Sequence, residues 1–95
     1  MYQIFFDRGK AAKFVKKAEL NLKEKLEKEL LAIANGPFVA GELSGKFQGL
    51  RSHHFSFQNV AYRIVYVVYP EQKRVGILHI GTRENFYKEL MRGLD

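Results

Sequence analysis

Hydrophobic and polar positions follow two different periods along this chain. Tyr2-Gln-Ile-Phe-Phe6 is a short run of β-formers bounded by Asp7, which predicts an opening strand. The period then changes. Ala11, Phe14, Val15 and Ala18 fall at i, i+3, i+4 and i+7, one face of a helix. Asp7 stands where it would cap that helix. A second helix is expected from Asn21, which with Glu24 has the spacing of a capping box. Leu22, Leu26, Leu30 and Ile33 form its apolar stripe, widened by Leu31, and Lys23, Glu24, Lys25, Glu27, Lys28 and Glu29 form the other face. Asn35-Gly36-Pro37 ends it. So few residues part the two helices that an antiparallel hairpin is expected.

Phe38 to Gln48 reads as a loop. Strands follow from Leu50 to Phe57, from Ala61 to Tyr69 and from Arg74 to Ile80, with Gly81-Thr82 breaking the last. Glu84 to Leu94 reads as a terminal helix with Phe86, Leu90 and Met91 inward. The pattern predicts one α+β domain over residues 1–95, in the order β-α-α-β-β-β-α. A helical hairpin packs on a mainly antiparallel four-stranded twisted sheet.

The first β-hairpin carries a parity argument, because facing residues of an antiparallel pair share one side of the sheet. A loop over 58–61 pairs Phe57 with Tyr62. Phe55, Phe57, Tyr62, Ile64 and Tyr66 then share the side that meets the helices. Ser52, His54, Ser56 and Arg63 share an open side. A loop one residue shorter would push the Arg63 charge among the phenylalanines, a costly burial. His53 falls on the aromatic side and reads as a packed histidine. The face of His79 depends on the 70–73 turn, and a structural role is expected.

Composition sharpens this picture. An apolar share of 46%, with 8 Phe and 5 Tyr, supports a core and excludes disorder. Cysteine is absent, which excludes disulfides, thiolate nucleophiles and Cys-based zinc sites. A small cysteine-free domain suits the cytoplasm. No apolar run approaches the ~18 residues of a membrane span, and the opening residues lack the basic flank of a signal peptide. No membrane role is expected.

The 16 basic and 10 acidic residues leave a net charge of +6. Up to residue 35 the charges interleave, as on a solvated helix face. Between Glu42 and Glu71 there is no carboxylate side chain, yet Lys46, Arg51, His53, His54 and Arg63 lie there. Such a stretch suits a phosphate backbone. The three histidines have no carboxylate partner within that window and no helical i, i+4 spacing, so no metal is expected. Gly41, Gly45 and Gly49 lack the Gly-Lys-Ser/Thr end of a P-loop, and no cofactor is expected.

At this point the chain resembles the RelE/ParE toxin superfamily of type II toxin–antitoxin systems. The residues that carry the resemblance are Leu43-Ser-Gly45, Gly49-Leu-Arg-Ser52, Tyr62-Arg-Ile-Val-Tyr66 and Ile80-Gly-Thr-Arg-Glu-Asn-Phe-Tyr87. The RelE-like branch cuts mRNA in the ribosomal A site, and the ParE-like branch inhibits DNA gyrase. The resemblance implies a cytoplasmic toxin whose partners are mRNA, the ribosome and a cognate antitoxin. DNA is met only through an antitoxin complex. In the RNase branch the motif arginine, the arginine after the strand-ending glycine and a tyrosine beyond it form the active site. These map to Arg63, Arg83 and Tyr87. Helical spacing from Leu90, Met91 and Leu94 also gives Tyr87 a core reading. Two further basic residues of that branch fall at His54 and Ser56, so one is kept in kind and one is lost.

Cutting RNA through its own 2′-hydroxyl needs a base, cations around the phosphorane and a proton for the leaving 5′-oxygen, with no metal. Arg63 and Arg83 suit the cationic role, because guanidinium is planar and permanently charged. His54 suits the base, since imidazole titrates near neutrality. Tyr87 suits base stacking or proton supply, and Lys46 and Arg51, with Ser56, suit RNA contacts. A gyrase inhibitor, or a degenerate toxin that binds only RNA or antitoxin, are the alternatives.

Overall fold

The structure is a computed structural model that describes residues 1–84 and Lys88. Seven elements follow in order: β1 (Gln3–Phe6), α1 (Gly9–Lys17), α2 (Leu20–Asn35), a 3-10 turn (Gly45–Phe47), β2 (Arg51–Phe57), β3 (Val60–Tyr69) and β4 (Arg74–Thr82). The expected α+β architecture is present. The strands lie in the order β1-β4-β3-β2, with β1 parallel to β4 and the other pairs antiparallel. The helix expected over 84–94 falls, but for Glu84 and Lys88, outside the described residues. No helix among the described residues is long and apolar enough to cross a membrane.

The helices begin where backbone pairing permits. The Asp7 N–H donates to the Ile77 carbonyl at 2.9 Å, so Asp7 still belongs to the sheet. Arg8 is therefore the N-cap of α1, without a side-chain bond. Capping of α2 also moves, from the expected Asn21 to Glu19, whose carboxylate accepts from the Leu22 N–H at 2.9 Å. The connection is thus only Ala18 and Glu19. Leu26, Ile33 and Ala34 are buried, whereas Leu31 stays half-exposed, so the α2 stripe is narrower than its leucines imply.

The core lies between the helices and one side of the sheet. It joins Ala11, Leu26 and Ile33 to Phe55, Ile64, Tyr66, Val75, Ile77 and Ile80. Tyr66 is fully buried, and its hydroxyl donates to the Pro37 carbonyl at 2.8 Å, tying the centre of β3 to the end of α2. Burial holds the Tyr66 hydroxyl above its ordinary pKa, partly opposed by the Arg51 charge, so it stays a donor.

The β2–β3 hairpin turns on two residues. Gln58 and Asn59 both have positive φ, at 49° and 65°, as a type I′ turn requires. Phe57 therefore pairs with Val60, and Phe55 with Tyr62. The register is shifted by two from the expected Phe57–Tyr62 pairing. A shift of two preserves parity, so the two sides keep their expected residues. β4 also runs further than expected. Gly81 pairs with Arg63 and Thr82 with Tyr62, because the early residues of β3 need partners on their free edge.

His53 lies on the helix side as expected, but it is an ion-pair partner rather than a core residue. Its Nε2 is 2.8 Å from Glu29 Oε1, and Lys25 Nζ is 3.2 Å from Glu29 Oε2. Burial alone would raise the Glu29 pKa. The His53 and Lys25 hydrogen bonds and charges outweigh it and hold the carboxyl below its ordinary value. A group lowered on folding contributes stability above its unfolded pKa and loses it as pH falls through the folded one. The bridge is therefore expected to support the fold above the ordinary Glu range and to fade on acidification below it. Chemical denaturation of Glu29→Gln between pH 3 and 7 checks this. The gap from wild type should shrink as pH falls, and a constant gap would remove the assignment.

Candidate functional site

The open side of the sheet has a covered part and a bare part. Tyr62-Arg-Ile-Val-Tyr-Val-Val68 is almost unbroken in apolar residues, the mark of a strand buried on both faces. Phe47, Val65 and Leu78 form a second small core there, with Leu43, Leu50 and Val67 packed on it. The 41–50 segment is thus a wall across the sheet, not a free loop. Gly45 and Gly49, at φ 67° and 94°, allow its tight course.

Beyond the wall, the ladder sets two short rows. His54 faces Arg63, which faces Gly81. Ser56 faces Ala61, whose carbonyl accepts the Arg83 N–H at 2.9 Å. Each arginine thus has a small residue across the strand. Neighbouring strands lie about 4.8 Å apart and alternate residues about 6.6 Å, so the two arginine backbones stand roughly 8 Å apart on the diagonal. The vacant space is a depression of about 220 Å³ lined by His54, Phe55, Ser56, Ala61, Tyr62, Arg63 and Arg83. No carboxylate lines it among the described residues.

The electrostatics follow from this packing. Partial burial, then the charges of Arg63, His53 and Arg83, lower the His54 pKa below its ordinary value. The ring is therefore neutral at physiological pH, the state a base needs. Its Nε2 lies 3.0 Å from Ser52 Oγ. Ser52 was expected on the open side but is buried, because the wall closes over its row.

The structure brings together His54, Ser56, Arg63 and Arg83. Lys46 rides exposed on the 3-10 turn and does not line the depression. Arg51 departs from expectation. Strand alternation puts it on the helix side with His53 and Phe55. Its guanidinium donates to the Ala40 carbonyl at 2.7 Å and lies 5.1 Å from the Phe38 ring centroid. It holds the 38–40 segment, on the side of the sheet away from the depression. The parity argument applied to Arg51 gives the same answer from sequence. Tyr87 lies outside the described residues. His79 sits in β4 opposite Val65, half-buried beside the wall. Sequence reasoning missed Ala61 and Gly81, whose contribution is space, and Phe47, which packs with Val65 and Leu78 in the wall.

This mixed sheet backed by a helical hairpin is the fold of RelE-like toxins. The E. coli toxin in its intact RelBE toxin–antitoxin complex superposes with TM-score 0.70 at 24% identity, over 88% of this chain and 99% of that one. A chain of the Mycobacterium tuberculosis RelBE2 complex gives TM-score 0.73 at 20% identity, over 86% and 98%. An E. coli RelE double arginine mutant bound to an antitoxin RelBc peptide gives 0.69 at 27%, over 93% and 92%. No curated protein sequence matches. A family model matches residues 6–91, and the chain belongs to that family, the ParE-like toxins of type II bacterial toxin–antitoxin systems.

Proposed function

We propose that this toxin is a ribosome-dependent endoribonuclease that cuts mRNA and arrests translation. The observation that carries the reading is one neutral imidazole and two arginines converging on a depression that no carboxylate lines among the described residues. In this reading the substrate 2′-hydroxyl loses its proton to His54, and its oxygen bonds to the adjacent phosphorus. Arg63 and Arg83 hold the phosphorane charge, worth most where water is excluded. The P–O5′ bond breaks, and the 5′-oxygen takes a proton from Tyr87 or water. The products are a 2′,3′-cyclic phosphate and a 5′-hydroxyl.

The ribosome supplies the remaining geometry, which accords with so shallow a depression on the toxin alone. A cognate antitoxin, presenting an acidic helix or strand, would neutralise the toxin by covering the same basic surface. The RelE structures above, solved with antitoxins, support that partner.

Induced expression followed by mapping of RNA ends tests the proposal. Growth should stop, and mRNA should be cut within codons, leaving cyclic phosphate ends. The lowered His54 pKa adds a second expectation. Cleavage on programmed ribosomes should persist on acidification past the ordinary histidine pKa, and an acid limb above that value would exclude His54 as the base. Ser56, in place of a second basic residue, favours one rival, a gyrase inhibitor. Growth arrest with intact mRNA and blocked supercoiling by purified gyrase would establish that rival. Unaffected growth would sink both toxin readings.

A further inference from the structure

Among the described residues, Ser52 is the one buried residue that is neither apolar nor aromatic. Val65 faces it across the strand, and Phe47 packs over Val65 in the second core. Packing alone would be served there by an alanine. The position is also rigid. The Ser52 N–H donates to the Gly41 carbonyl at 3.2 Å, and the backbone of the neighbouring Arg51 pairs with that of Glu42 in an isolated antiparallel β-bridge. Ser52 and His54 are two apart on β2, so both project on one side, and Ser52 Oγ meets His54 Nε2 at 3.0 Å. A buried hydroxyl in an apolar wall is thus aimed at the imidazole of the cationic cluster.

We propose that Ser52 is a positioning residue for His54, its hydroxyl accepting the Nε2–H of the ring and so keeping Nδ1 as the nitrogen that takes the substrate proton. The inference rests on the nuclease reading above. In a neutral imidazole one nitrogen carries the proton and the other the lone pair, and the bond made by one decides the role of the other. With Nε2–H held by Oγ, the bare nitrogen is Nδ1. When Nδ1 gains the 2′-hydroxyl proton the ring becomes imidazolium. The Nε2–H···Oγ bond is then charge-assisted and shorter, so it strengthens as the reaction proceeds. Ser52 also fixes the ring's rotation, which a histidine on an exposed strand face otherwise lacks.

The test joins ring ¹⁵N NMR of His54 to single-turnover cleavage on programmed ribosomes, for wild type, Ser52→Ala and Ser52→Thr. Wild type should carry its proton on Nε2. Ser52→Ala should loosen that tautomer preference and lower the cleavage rate about 10- to 100-fold, the scale of a misoriented catalytic group, with little change in KM. Ser52→Thr, which keeps the hydroxyl, should restore both. A wild-type proton on Nδ1 overturns the proposal, and that measurement decides even if Ser52→Ala does not fold. So does an unchanged tautomer ratio and rate in Ser52→Ala. If the NMR result holds but wild type cuts no RNA, the positioning role stands and the nuclease reading fails.

Discussion

Arg63→Ala is expected to lower single-turnover mRNA cleavage about 10²- to 10³-fold, the loss typical of removing one preorganised group that stabilises developing charge. Arg63 occupies the middle of the site, with His54 across one strand junction and Gly81 across the other. A guanidinium offers a fork of donors matched to phosphate oxygens, which lysine, a point charge, does not. Arg63→Lys should therefore recover only part of the rate. Arg83 stands at the end of β4, exposed. In the proposed reaction both arginines serve one phosphorane, so the double alanine variant should lose less than the product of the single losses. A second readout separates chemistry from folding. Arg63 is the largest charge that holds the His54 pKa down. Its removal should move the acid limb of the pH profile upward, toward the ordinary histidine value. A half-exposed strand position should leave the melting temperature nearly unchanged. Full cleavage by the variant, with an unmoved acid limb, would take Arg63 out of the site.

The site was legible because strand parity depends only on whether an offset is odd or even. The register was two residues out at the Gln58-Asn59 turn, yet His54, Ser56 and Arg63 still fell on one side. Such a shift keeps faces while changing neighbours, so the direct His54–Arg63 pairing was invisible. The wall was hidden for a different reason. Phe47, Leu43 and Leu50 lie in a glycine-punctuated segment without periodicity, and only the long-range contact with Val65 and Leu78 gives them a place. The helix starts failed at short range, where Asp7 and Asn21 carried good capping chemistry. Backbone pairing to Ile77 and the two-residue connection at Ala18-Glu19 overrode it. Arg51 shows the danger of reading charge without face. Its place in the carboxylate-free window suggested phosphate, and its odd position on β2 sends it to carbonyls on the other side.

That other side carries the largest expected effect on stability. Tyr66→Ala should cost about 3–5 kcal/mol, the range for deleting a buried aromatic ring. The total stability of a domain this size is about 5–15 kcal/mol, so much of it is at risk. Two losses combine. The cavity opens in the centre of the core, beside residues such as Ile64 and Ile77 that have nowhere to relax. The Pro37 carbonyl, buried at the end of α2, also loses the hydroxyl that satisfies it. Tyr66→Phe isolates the second loss, expected at about 1–2 kcal/mol for one hydrogen bond and an unpaired acceptor. At about 4–8 °C per kcal/mol for a domain of this size, it should melt some 5–15 °C lower. Thermal and denaturant unfolding of both variants checks this. Equal melting of Tyr66→Phe and wild type would mean that water replaces the hydroxyl at Pro37. The same five-residue segment, Tyr62 to Tyr66, therefore turns Arg63 to the candidate site and Tyr66 to the anchor of α2. Tyr66→Phe should separate these roles, cleaving at nearly the wild-type rate at 20 °C while losing activity at a lower temperature than wild type. A proportionate loss of rate at 20 °C would show instead that the anchor and the site are coupled through β3.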